Sequence, residues 1–194
     1  MPGLRNVLRF AIAFLLAPAF FGQSDPYLRN DLSASFRYGV ILGNSSFYLG
    51  DSAPGFGLKY SYRPLRWLAV EAGYEQIPRT LGGHVCCRFS DNADDELYLV
   101  PFGLRYVWEP QGGRIRLSAG GGGAYLNHAI GNTAGELMPA SGWGVQAVAA
   151  GDYAITRSGR WRTGATVRYY YVPINVLQNA RVVTVGPDFT FSFR

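Results

Sequence analysis

Ten charged residues sit at alternate positions along stretches that are otherwise apolar, aromatic or small: Arg37, Lys59, Glu71, Glu75, Arg105, Arg116, Asp152, Arg162, Arg168 and Asp188. Gathered in one interior, the two signs would pair, because an unpaired charge away from water is costly. Other reactive types are sparse. The chain has two histidines, His84 and His128. Asn127, His128, Glu136 and Ser141 hold the residue types of a base, a carboxylate and a nucleophile. Cys86 and Cys87 are adjacent, with Cα atoms ~3.8 Å apart, below the usual disulfide span. They read as a strained local disulfide or as two loop thiols. His84, Asp91, Asp94 and Asp95 are near them in sequence, but the spacing matches no zinc pattern, so no metal and no other cofactor is predicted. The acidic run 91–96 reads as a solvated loop.

The elements that must position the charges are strands. In Tyr98 to Trp108, residues Tyr98, Val100, Phe102, Leu104, Tyr106 and Trp108 share one face, and Leu99, Pro101, Gly103, Arg105 and Val107 share the other. A turn-forming segment at 109–114 follows, and the alternation resumes from Ile115 to Tyr125. The same period-two pattern marks 33–43, 55–62, 67–76, 142–155, 161–171 and 181–193, which makes eight strands with 96–108 and 115–125. The connections alternate in length. Those at 44–54, 77–95, 126–140 and 172–180 are long, and those at 63–66, 109–114 and 156–160 are short. An up-and-down barrel in an outer membrane has this asymmetry, with its short turns in the periplasm. Strands of about 11 residues, tilted by ~40–45°, rise about 25 Å, the height of such a membrane's apolar band.

Composition agrees with strands. The chain has 194 residues, 25 of them glycine, and only 16% are charged, poor material for helices. No run reaches the roughly 18–20 apolar residues of a membrane helix. At the N-terminus, Arg5 and Arg9 precede the apolar run Phe10 to Leu16, and Ala17-Pro18-Ala19 resembles a cleavage site. Residues 1–19 therefore read as a signal peptide, with Gly22 as a later alternative for cleavage. Residues 20–32 read as an N-terminal lead and 33–194 as the barrel. Removing Arg5 and Arg9 takes the formal charge from +5 to +3, too small an excess to point to nucleic acid.

A soluble barrel would turn its oily face inward around a ligand. Two features oppose this. Tyr62, Tyr106, Trp108 and Trp161 lie on the apolar face near the short-turn ends, and Tyr74 and Trp143 near the loop ends, where rings meet a bilayer interface. Trp67 has the wrong parity for this band and is expected in the turn or pointing inward. The opposite face mixes glycine with both signs of charge, which suits a narrow lumen where Gly120 and Gly122 make room for long side chains.

With its LYLVPFGLRYVW, RLSAGGGGAY and terminal DFTFSFR segments, the chain resembles the eight-stranded outer-membrane barrel superfamily that includes the OmpA transmembrane domain and the OmpX/Ail proteins. The resemblance covers 33–194. It implies an all-β, eight-stranded antiparallel up-and-down transmembrane β-barrel in a Gram-negative-type outer membrane, surrounded by lipid and lipopolysaccharide. It also implies that Phe189, Phe191 and Phe193 form the C-terminal signal read by the barrel-assembly machinery, although Arg194 follows the last aromatic. Lipid A-modifying barrels resemble this architecture and use His, Ser and a carboxylate, but the deacylase pattern wants serine two residues after its histidine, where Ile130 stands. No enzyme is predicted. The expected role is structural or interactive, as a monomer presenting loops 77–95 and 126–140. The alternatives are a small or gated ion pore and, behind it, a lipid A enzyme.

Overall fold

The computed structural model describes residues 28–42, 52–79, 95–110, 114–131, 137–173 and 180–194. They form eight strands: β1 Asn30–Leu42, β2 Ser52–Leu65, β3 Leu68–Arg79, β4 Asp95–Trp108, β5 Ile115–Gly131, β6 Leu137–Ala154, β7 Trp161–Val172 and β8 Ala180–Phe193. Each pairs antiparallel with the next, and β8 returns to β1 to close the barrel. Closure leaves no strand edge within the apolar band, the condition for a sheet to cross lipid.

The register sets the barrel's width. Trp108 pairs with Leu117, and the ladder continues through Gly151 and Ala165 to Pro187; the flanking pairs Ser35–Asp188 and Tyr38–Val185 set Phe36 opposite Pro187, and the ladder goes on through Phe56 to Gln76. It re-enters β4 at Tyr98, ten residues above its start. That stagger over eight strands gives a tilt of about 40° and a backbone radius of about 8 Å. Such an interior is filled by side chains and leaves no open bore.

The pleat then assigns faces. Arg37, Glu71, Glu75, Arg105, Arg116, Arg162, Arg168 and Asp188 are buried inside, while Phe36, Leu58, Leu104, Val145 and Val167 are exposed outside. The oily face is outward, the arrangement of a barrel in lipid. No helix among the described residues is long and apolar enough to cross a membrane.

Several boundaries differ from the sequence reading. β1 starts at Asn30, within the segment read as lead. β2 runs to Leu65, taking in most of the expected turn, with a register shift between Tyr62 and Leu65. β3 extends to Arg79, and β5 and β6 continue to Gly131 and from Leu137. Most of the expected 126–140 loop is therefore paired strand. The reason is that the alternation loses its phase there, since the outward face leaves lipid while the inward face turns apolar. Residues 1–27, Cys86, Cys87, His84 and Glu136 lie outside the described residues.

Candidate functional site: the lumen and the exterior girdles

The lumen is built in tiers by inward positions on all eight strands. At the short-turn end, Arg116 from β5 donates through Nη1 to Asp31 Oδ2 at 2.8 Å and through Nε to Asp152 Oδ2 at 3.1 Å. Arg63 approaches Asp31 at 3.7 Å and donates to Glu109 Oε1 at 2.8 Å, while the Ser192 hydroxyl donates to Asp31. Arg162 gives a hydrogen bond to the carbonyl of Arg114 at 3.2 Å.

In the middle tiers Glu71 receives Arg105 Nη1 and Arg168 Nη1, each at 3.0 Å. Glu75 lies 3.3 Å from Arg37 Nε and 3.4 Å from Arg168 Nε, and Thr184 donates to it at 2.9 Å. Asp188 holds Arg37 Nη2 at 2.7 Å, Lys59 Nζ at 3.6 Å and the Thr166 hydroxyl. Carboxylates from four strands thus cross-link cations from five. Each pair is stabilised by its neighbours, because a partly satisfied polar interior would cost more than an apolar one.

All ten charged residues expected in the lumen face it. The sequence reading missed Asp31, Arg63 and Glu109. A signal existed for the first two: Asp31 continues the parity of Ser33 and Arg37, and Arg63 that of Lys59 and Ser61. Position alone had placed one in a lead and the other in a turn.

Above the charges the lumen changes character. Ile77, Leu97, Leu99, Ala124, Leu126, Tyr170, Val172 and Val182 form a single buried apolar cluster. Leu99, Ala124, Tyr170 and Val172 are 0% exposed, so apolar side chains pack the upper lumen at this level. The sequence reading, which described the inward face as glycine mixed with both signs of charge, did not identify this apolar level. Tyr170 is the junction, with its ring in this apolar plug and its hydroxyl beside Glu75.

Outside, aromatic rings gather at two levels. Trp108 and Trp161 are exposed at the short-turn end with Tyr106, and Tyr62 is half-buried nearby. Trp67 lies in the β2–β3 turn, exposed, with its ring 6.4 Å from Tyr106. Towards the loop end Trp143 packs edge-on to Phe102 at 6.1 Å and lies 5.1 Å from Tyr125, while Tyr74 lies 6.1 Å from Tyr98. On β8, Phe189 and Phe191 flank Trp161 at 5.2 and 4.7 Å, and Phe193 stacks on Phe191 at 5.9 Å.

The glycines of β5 have a different reason from the one expected. A Cβ on Gly120 or Gly122 would lie 2.0 Å from the Leu104 carbonyl oxygen or 2.1 Å from that of Phe102. The β4 backbone crowds them, and not the long arms of the network. On the lipid face, Gly123 leaves a seat for the Phe102 ring, whose Cζ would be 2.3 Å from an added Cβ.

Of the residues with enzymatic types, Glu136 lies outside the described residues. Asn127 pairs with Ser141 across β5 and β6, and His128 pairs with Ala140. No cluster of potential metal ligands is found among the described residues.

A closed eight-stranded barrel with an oily exterior, aromatic girdles and a filled polar lumen is the architecture of the outer-membrane β-barrels. No protein-family model and no curated protein sequence matches the chain. Solved structures do. The chain is similar to neisserial surface protein A, with a TM-score of 0.65 and 18% identity over 84% of this chain and 97% of that one. It is similar to Ail, the attachment invasion locus protein of Yersinia pestis, with a TM-score of 0.56 and 14% identity over 84% and 99%. It also resembles the outer membrane protein OprG of Pseudomonas aeruginosa, with a TM-score of 0.51 and 14% identity over 85% and 97%. At these identities the likeness is one of fold.

Proposed function

We propose that this chain is a monomeric outer-membrane barrel that serves as a closed scaffold, holding the four connections of its loop end at the cell surface for structure or for surface interaction. The observation that carries this is the two-part filling of the lumen. Ion pairs cross-link the lower tiers, and the apolar plug from Ile77 to Val182 packs the upper lumen. A conducting path would need a wet, continuous bore, and an apolar constriction of this kind opposes ions. The pore reading is therefore the weaker one. Ail, of similar fold, is named as an attachment and invasion protein, and one of its structures holds a heparin analogue. Those are properties of Ail, and they support the surface-interaction side of this reading.

Planar-bilayer recording on the purified barrel tests the proposal. A silent bilayer is expected. Stable conductance that changes on Glu71→Ala or Arg105→Ala would overturn the closed-scaffold reading in favour of a pore. An altered lipid A mass in cells expressing the chain would instead favour the enzyme reading. Export by a cleaved segment 1–19 predicts a mature N-terminus at about residue 20, with Gly22 as the later limit. Recognition of Phe189, Phe191 and Phe193 by the assembly machinery predicts less folded barrel in the membrane when all three become alanine.

A further inference from the structure

Seven cations are enclosed by the lumen among the described residues: Arg37, Lys59, Arg63, Arg105, Arg116, Arg162 and Arg168. Five carboxylates face them, Asp31, Glu71, Glu75, Asp152 and Asp188, and Glu109 at the rim is a sixth at 33% side-chain exposure. Positive charge is in excess by one even when Glu109 is counted. The excess is not spread evenly. A cavity of about 20 Å³ in the lower lumen is lined by Lys59, Arg63, Arg105 and Arg116 against only Asp31 and Asp152. Hydroxyl-bearing Ser33, Ser61, Ser118 and Thr190 complete much of its wall. That volume holds one or two water-sized occupants.

Arg105 marks where an occupant would be held. Its side chain is 6% exposed, and Nη1 is engaged by Glu71, but Nε and Nη2 are buried without a hydrogen-bond partner. Lys59 lines the same cavity, and its ammonium reaches a carboxylate only at 3.6 Å, on Asp188. Buried N–H groups of this kind are satisfied in native proteins by water or by an ion. Water would satisfy the donors but leave the charge excess in place, whereas one small monovalent anion does both.

We propose that the lower lumen contains a binding site for a single halide-sized anion, held by Arg105 and Lys59 and closed around by the serine hydroxyls. Gluconate, an extended organic anion, does not fit a cavity of this volume. The site makes the anion a structural component that links β2 to β4 over the intervening β3.

The test uses the full barrel refolded in detergent. Crystals soaked in sodium bromide should show one anomalous peak between the Arg105 guanidinium and Lys59. At constant ionic strength, replacing gluconate by chloride should raise the thermal unfolding midpoint along a saturating curve. Arg105→Gln, which leaves Glu71 paired with Arg168, should remove both the peak and the chloride dependence. Should that variant fail to fold, Lys59→Met provides the same comparison. Absence of a bromide peak in the wild type, with equal stability in chloride and gluconate, would overturn the proposal and leave the cavity to water or to an uncharged Lys59.

Discussion

Glu71 is the residue on which the middle of the lumen depends most directly, since it receives two guanidinium groups at 3.0 Å and is itself buried. Replacing it by glutamine preserves the volume and removes the charge, so Arg105 and Arg168 both lose a carboxylate. Breaking one side of a buried pair costs about 3–5 kcal/mol. Urea unfolding of Glu71→Gln in lipid vesicles should show a loss of that order, and an unchanged midpoint would mean that the network is not the source of stability. A second comparison separates the two kinds of glycine in β5. The methyl of Gly122→Ala would lie against the β4 backbone, 2.1 Å from the Phe102 oxygen and 2.5 Å from Gly103 Cα, so the strands must part. The methyl of Gly123→Ala meets only the end of the Phe102 ring, which can swing aside. Overpacking of this sort costs about 1–3 kcal/mol. Gly122→Ala should lose most of the heat-modifiable folded band on a gel, and Gly123→Ala should keep it.

Pairs of strands determine where the lumen stops being polar. β5 and β6 are 17 and 18 residues long and outreach β7, which has 12. The inward residues of β5 at the upper level, Ala124 and Leu126, meet Leu97 and Leu99 of β4 in the plug. Leu99→Ala and Leu126→Ala should each cost about 2–5 kcal/mol, because each opens a cavity in a closely packed cluster. The double variant should cost less than the sum, since adjacent sites share one cavity and their effects are not additive. Denaturant unfolding of the three variants checks this. The plug also explains which parts of the fold were legible. Within the membrane band the two faces differ sharply, as in Phe102 and Leu104 against Gly103 and Arg105, and period two suffices to find the strand and its orientation. Near Leu126 and His128 the contrast vanishes, because the exterior is leaving lipid while the interior has become apolar. Asn127, Gly131 and Pro139 then read as loop, although 127–131 and 137–141 pair without interruption. The ten lumen charges were legible from parity, but their partners were not, since pairing depends on a stagger that only barrel closure sets.

For the molecule as a whole, the two aromatic levels predict a depth. Trp108 and Trp161 stand at the short-turn end of the barrel and Trp143 towards the loop end, all three exposed on the outer surface. The apolar band between such girdles is about 25 Å tall, so each ring should sit near one headgroup region and far from the bilayer centre. The chain has four tryptophans, which permits variants that retain Trp108 alone or Trp143 alone, with phenylalanine at the other positions. In vesicles of brominated lipid, both variants should be quenched most strongly by bromine near the headgroups and least by bromine at the chain ends. When insertion has a single orientation, iodide added outside should reach only one of the two. A soluble barrel of the same strands would show no quenching by brominated chains at all. Strong quenching of Trp143 by bromine at the bilayer centre would place the loop end too deep, and the closed upper lumen would then lie within the membrane and not at its surface.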